Sequence, residues 1–239
     1  MRIAIVSDIH GNRTAFDAVL EDLQETSPDL VFHGGDLADG GAHPAEIVDH
    51  VRELGWSGVA GNADEMLWDS ESLTRFAEQS RALSSLFAVV GEVAEATRQA
   101  LGQERISWLQ ALPRRQKYEG IALVHASPAD LWRAPAQAAS DDQLNATFGS
   151  LGEAVIVYAH IHHPYIRRLA GTTVVNTGSV SLSYDGDYRA SYLVLDDGEP
   201  SIRRVRYEVD REVKELVESG IPHADWIARM IRTGTPQMP

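Results

Sequence analysis

The chain contains no cysteine, which excludes a disulfide framework and any thiolate metal site. It has no apolar run near the roughly 18 residues that a membrane-spanning helix requires, so no membrane contact is expected. The first apolar run, Ile3 to Val6, is too short for the core of a secretory signal, and the cytoplasm is the expected compartment. Cations are scarce: 21 Lys and Arg stand against 35 Asp and Glu, a formal net charge of −14. A general nucleic-acid-binding surface needs Lys and Arg in excess and is not expected here; the negative charge serves solubility. A phosphate-bearing ligand would need a local positive centre, which a metal cluster can supply.

What is present is the pattern of one large α/β domain spanning 239 residues. Ile3 to Val6, Leu30 to Phe32 and Gly58 to Ala60 predict short buried strands. Between them, Phe16, Val19, Leu20 and Leu23, and then Ile47, Val48, Val51 and Leu54, repeat at helical spacing. Thr14 is the candidate cap of the first helix, with Asp17 three residues on, and Pro44 opens the second. Strand alternating with helix is the grammar of a parallel sheet. From about 65 to 115 the pattern is helical without strands, and is expected to be a cap inserted in a single domain of residues 1–239. Ile121 to Val124 and Ala154 to Tyr158 resume the strands. Four closely spaced short strands then follow between Tyr165 and Tyr207, suggesting a second, antiparallel sheet, before a helical C-terminus.

Each early strand ends in polar residues of one kind. Asp8 and His10 follow the first, Asp36 the second, Asn62 the third; His125 follows the strand at 121–124, and His160 and His162 the one at 154–158. Open α/β sheets bind ligands at that edge. Singly, each is more simply a turn residue or an incidental histidine; jointly, the recurrence at successive strand ends points to a metal site. The all-nitrogen-and-oxygen set suits Mn, Fe, Zn or Ni. Seven ligands exceed the needs of one tetrahedral ion and suit two divalent ions about 3.5–4 Å apart sharing a carboxylate, for which Asp36 is placed.

These residues resemble the motifs of the calcineurin-like metallophosphoesterases: Asp8-Ile-His10, Gly35-Asp36, Gly61-Asn62-Ala63-Asp64, the lone His125, and Ala159-His160-Ile161-His162. The start Asp8-Ile-His10-Gly11-Asn12 and the late turn Asn176-Thr177-Gly178-Ser179 look most like the small bacterial and archaeal phosphodiesterase-type members. The resemblance implies a four-layer α/β/β/α sandwich of two mixed sheets. It implies that one ion is held by Asp8, His10, Asp36 and His162, and the other by Asp36, Asn62, His125 and His160. Three positions depart from the pattern. Ala159 replaces a glycine, Thr177 replaces a common proline, and Ala63 stands where many phosphatases carry a histidine able to protonate the leaving group.

The expected activity is hydrolysis of small phosphodiesters, with nucleotide-like ones among the candidates, by a metal-bridging hydroxide, with Asp36, Asn62 and His125 as the catalytic core and manganese as the foremost metal. Trp68, Trp132 and Tyr184 are candidates for a stacking surface, with packing as the simpler role. A phosphomonoesterase or protein phosphatase, a dinucleoside polyphosphate hydrolase, and a non-catalytic metal-stabilised scaffold are the alternatives. Oligomeric state is left open.

Overall fold

The computed structural model describes residues 1–78 and 81–239. Its ten strands form two five-stranded sheets. The first sheet contains β1 (Arg2–Val6), β2 (Leu30–His33), β3 (Ser57–Gly58), β9 (Ala190–Asp196) and β10 (Glu199–Val205), in the order β10-β9-β1-β2-β3. The second contains β4 (Arg115–Tyr118), β5 (Ile121–Val124), β6 (Val155–Tyr158), β7 (Tyr165–Leu169) and β8 (Thr172–Asn176), in the order β4-β5-β6-β8-β7. Both are mixed: β1, β2 and β3 run parallel, as do β5, β6 and β8, while the edges pair antiparallel.

The late strands therefore do not form the single antiparallel sheet that their close spacing suggests. β7 and β8 extend the second sheet, whereas β9 and β10 return to flank β1. The physical reason is the apolar content of β9: Ala190 to Leu195 is buried throughout, so it occupies a sheet interior, with β10 covering its outer edge. The strand at 115–118 carries only Tyr118 as a large apolar residue and gave no apolar-run signal.

Strand alternation builds the layers. Ile3 and Ile5 of β1 meet Ile121, Leu123, Val155, Val157 and Val175 of the facing sheet in a dry inter-sheet core. Their neighbours Ala4 and Val6 turn outward, onto α1 (Arg13–Thr26), α2 (Pro44–Glu53), α7 (Val209–Glu218) and α8 (Ala224–Thr233). On the other side Val124, Ile156 and Tyr158 pack on Leu144 and Phe148 of α6 (Asp141–Phe148). Each fully buried aliphatic side chain contributes about 1.5–3 kcal/mol of transfer free energy, so the strands are anchored on both faces while their carboxyl ends remain polar.

α1 is capped by Asn12 rather than Thr14. Asn12 has extended backbone and its Oδ1 accepts from Ala15 N at 2.8 Å, while Thr14 is buried inside the first turn. Between β3 and β4 lie α3 (Asn62–Trp68), α4 (Ser72–Ala77) and α5 (Ser84–Gln110), preceded by a 3-10 turn at Arg81–Leu83. Residues 79 and 80 of the stretch expected to be helical lie outside the described residues. Gly102, at φ 71° and ψ 163°, breaks α5 between Leu86, Phe87 and Val90 on one side and Ile106 and Leu109 on the other. Ile106 and Leu109 are core residues, whereas Leu83 is exposed and Val90 half-buried.

Candidate metal centre

All seven strand-end residues converge where the carboxyl ends of the two sheets meet. Asp8, His10, Asp36 and His162 place one donor atom each within 4.8 Å of one another, and Asp36, His125 and His160 do the same. Asp36 belongs to both groups: its Oδ2 lies 3.8 Å from His10 Nε2 and 3.3 Å from His125 Nε2. His162 Nε2 is 3.2 Å from Asp8 Oδ1 and 3.4 Å from His10 Nε2. Asn62 completes the second group, with Oδ1 3.0 Å from His125 Nε2 and 2.7 Å from His160 Nδ1.

The backbone reveals how the turns achieve this. Among the described residues nine that are not glycine have positive φ, and five of them are Asp8 (54°), His10 (48°), Asp36 (53°), His160 (67°) and His162 (55°). A left-handed backbone costs an L-residue of order 1–3 kcal/mol and persists where surrounding structure enforces it. Here it curls each turn so that residues leaving different strands aim at one point. The β1 and β2 turns are locked together, with Asp8 N donating to Gly35 O at 3.0 Å and His10 N to Asp36 O at 3.0 Å. Gly61 must lack a side chain because a Cβ there would overlap the Asp36 carboxylate.

The donor chemistry fits a pair of divalent ions. His10, His125 and His162 each present Nδ1 to a backbone carbonyl (Asp39 O at 2.7 Å, Gly34 O at 2.7 Å and Leu182 O at 2.6 Å). Donation from Nδ1 fixes the tautomer and turns Nε2, with its lone pair, toward the cluster. His160 is the exception, with Nδ1 as its inward atom. Burial alone would push His125 down, but the facing Asp36 and Asp8 raise it to about 9. Asp36 is held well below the usual carboxylate range against its own burial by His125 and His10. Burial beside His125 lowers His160 to about 4. Buried anionic oxygens facing imidazole nitrogens form a site whose charges are best balanced by cations.

Other residues brace the cluster. Asp64, the last residue of the Gly-Asn-x-Asp motif, accepts from Asp36 N (2.8 Å), Gly61 N (2.9 Å) and Leu37 N (3.0 Å), tying the β2 and β3 turns together. Burial and the nearby Asp36 raise it to about 6. Thr177, a departure with no evident role in the sequence, lies with its Oγ1 2.6 Å from Ser7 Oγ, which donates to Asp8 Oδ2 at 2.8 Å. Ala159 sits in a tight turn, its N–H on His125 O and its carbonyl on Asn176 Nδ2. Asp39 is buried at the rim, raised to about 7 by burial and by Asp36 and Asp64.

Of the three aromatic candidates only Tyr184 reaches the site, its ring stacked on His162 at 4.7 Å. Trp132 stacks on Phe76 at 4.9 Å and donates Nε1–H to Glu65, and Trp68 packs against the outer helical core. Both are packing aromatics, so two of the three candidates take the simpler role expected for them.

The family profile described as the calcineurin-like phosphoesterase superfamily domain matches residues 1–198. The chain belongs to this superfamily. A metallophosphoesterase from Sphaerobacter thermophilus superposes with a TM-score of 0.80 at 25% identity, covering 98% of this chain and 99% of its own. A hypothetical protein from Pyrococcus horikoshii OT3 shares the fold at 15% identity with a TM-score of 0.85, over 99% of both chains. An uncharacterized protein of Methanocaldococcus jannaschii is 28% identical over 97% of this chain and 98% of its own length. As a calcineurin-like phosphoesterase the chain has a candidate binuclear centre at the site just described. Among the described residues no helix is long and apolar enough to cross a membrane.

Proposed function

We propose that the protein is a dimetal phosphoesterase acting on phosphodiesters. The observation that carries this reading is the pair of buried donor groups sharing Asp36. One ion would be held by Asp8, His10, Asp36 and His162, the other by Asp36, Asn62, His125 and His160, with manganese the metal to test first. Bound there, two divalent ions supply a positive centre for a phosphoryl group and an acidified water as nucleophile.

The chain's own residues orient and balance that chemistry. Asp8 and Asp36 are its two carboxylates, so two divalent ions held there would leave a net positive charge that attracts a phosphoryl group. Asn62 turns Oδ1 toward the same point as His125 Nε2 and His160 Nδ1, which leaves its amide Nδ2–H as a donor to a phosphoryl oxygen. In the reaction a water oxygen bonds to phosphorus, the ester P–O bond breaks in line with it, and the water's proton passes to the departing alcohol. Ala63 lines the pocket where a histidine donor stands in many phosphatases, which favours substrates whose alcohol leaves readily. We take residues 65–115 as the cap that sets substrate choice in this single domain.

The test is turnover of bis-p-nitrophenyl phosphate and of p-nitrophenyl phosphate with and without added manganese. A metal-dependent rate that is higher on the diester is expected. Metal binding without turnover of either ester would support a scaffold instead.

A further inference from the structure

Five of the seven cluster residues, His10, Asp36, Asn62, His160 and His162, form the floor of a cavity of about 210 Å³ whose walls, Asp39 at the rim aside, are of the opposite character. Met66 of α3 and Val90 and Val93 of α5 stand on one side. Leu182 follows the Asn176–Ser179 turn, and Trp226, Ile227 and Met230 come from α8. Among the described residues lining the cavity there is no lysine or arginine. A ligand seated on the floor through a phosphoryl group would place its organic portion against these walls.

The walls are built as one unit. His223, which caps α8 with a left-handed backbone, pairs through Nε2 with Glu92 of α5 at 2.9 Å. At the other end Gly234 O accepts from Gly186 N at 2.8 Å, joining α8 to the loop that carries Leu182 and Tyr184. The Trp226 indole is fixed by donating Nε1–H to Gln237 O at 2.8 Å, so its ring is held at the cavity without a polar atom left for the ligand. The family match ends at residue 198, so of the wall only the α8 side, Trp226, Ile227 and Met230, lies outside the matched residues.

Size and polarity together select a ligand class. An apolar cavity of about 150 Å³ accepts benzene, and drug-sized ligands occupy about 300–1,000 Å³. A cavity of 210 Å³ thus suits one ring or a short branched chain. It offers no cation for a second phosphate, and beyond the cluster its polar side chains are Asp39, Tyr184 and Trp226, the last with its N–H already engaged. We propose that the α3–α5–α8 cavity is the subsite for the ester's organic group, and that the substrate is a phosphoester of a small, uncharged, apolar alcohol rather than a nucleotide or polyphosphate. Trp226 is its specificity-determining residue. The proposal rests on the phosphoesterase reading of the floor.

The test is calorimetric binding of phenylphosphonate, methylphosphonate and adenosine 5′-monophosphate to the manganese-loaded protein, in wild type, Trp226→Ala and Val90→Ser. Wild type is expected to bind phenylphosphonate about tenfold more tightly than methylphosphonate, equivalent to about 1.4 kcal/mol, and more tightly than the nucleotide. Trp226→Ala should bring that ratio below about threefold while leaving methylphosphonate affinity unchanged; Val90→Ser, on the opposite wall, should lower it less. Should Trp226→Ala not fold, Val90→Ser and the wild-type ratio carry the test. Equal affinity for the two phosphonates, tighter nucleotide binding, or a ratio unchanged in folded variants overturns the proposal. Turnover of bis-p-nitrophenyl phosphate by wild type is measured in parallel. Turnover without phenyl selectivity refutes the subsite alone, and selectivity without turnover refutes the esterase reading while upholding the subsite.

Discussion

The floor and the wall of one cavity differ in almost every physical respect. The floor is polar, charged and strained: five of the cluster's seven residues sit in left-handed backbone, and three of its four histidines are oriented by backbone carbonyls. The wall is apolar and drawn from ordinary helix faces, including one that begins at Ala224. The difference teaches that chemistry and selectivity are separable here. The sheets' carboxyl ends define what can be done to a phosphoryl group, and the helices around them define whose phosphoryl group it is.

The comparison is broken most severely at Asp36. Asp36→Ala removes the one carboxylate common to both donor groups, and we expect hydrolysis to fall by on the order of 10³-fold or more, measured as kcat/KM on bis-p-nitrophenyl phosphate. Full activity in this variant would contradict the mechanism. Asp64→Asn leaves every proposed ligand in place but weakens the hold on Asp36 N, Gly61 N and Leu37 N. Manganese affinity should drop by about 10–100-fold in equilibrium dialysis, with the fold retained by circular dichroism. Thr177→Val removes the hydroxyl that touches Ser7 Oγ and donates to Gly178 O, and its effect should be the smallest on metal affinity, no more than about tenfold.

A subtler test concerns His33 at the end of β2, buried beside Gly58 and Trp108 with neither ring nitrogen hydrogen-bonded. Burial lowers it to about 4, against about 6.5 in an unfolded chain. Between those values the unfolded state binds the extra proton, so this residue's contribution makes stability rise with pH across that window and fall on acidification. The full difference is about 3 kcal/mol. Asp39 and Asp64, raised to about 7 and about 6, act in the opposite sense over part of the same range. The readout is therefore the difference between wild type and His33→Leu: in urea unfolding of the metal-free proteins, the stability of wild type minus that of the variant should increase as pH rises from about 4 to 6.5. Parallel pH profiles would remove His33 from the account.

The floor was legible in the sequence because its chemistry is concentrated. Asp8-Ile-His10 or His160-Ile161-His162 packs two donors into three residues at the end of an apolar run, and nothing about a solvated turn calls for that. The parallel half of each sheet was legible for a similar reason, since continuous apolar runs mark strands buried on both faces. The partition of β7 to β10 between two sheets was not, because short strands joined by tight turns carry no mark of which neighbour they pair with. The capping role of Asn12 was hidden by its place in a metal-binding motif, and that of Thr177 by its contact with Ser7, 170 residues away. Trp226 and Met230 look like any amphipathic helix face. Only the chain's path brings them over the site.

The most direct test of the two-ion centre around Asp36 is metal stoichiometry. Protein stripped of metal, reconstituted with manganese and dialysed should hold two ions per chain, and Asp36→Ala should hold fewer than one. No manganese retained by wild type, or two ions retained by Asp36→Ala, would contradict the account.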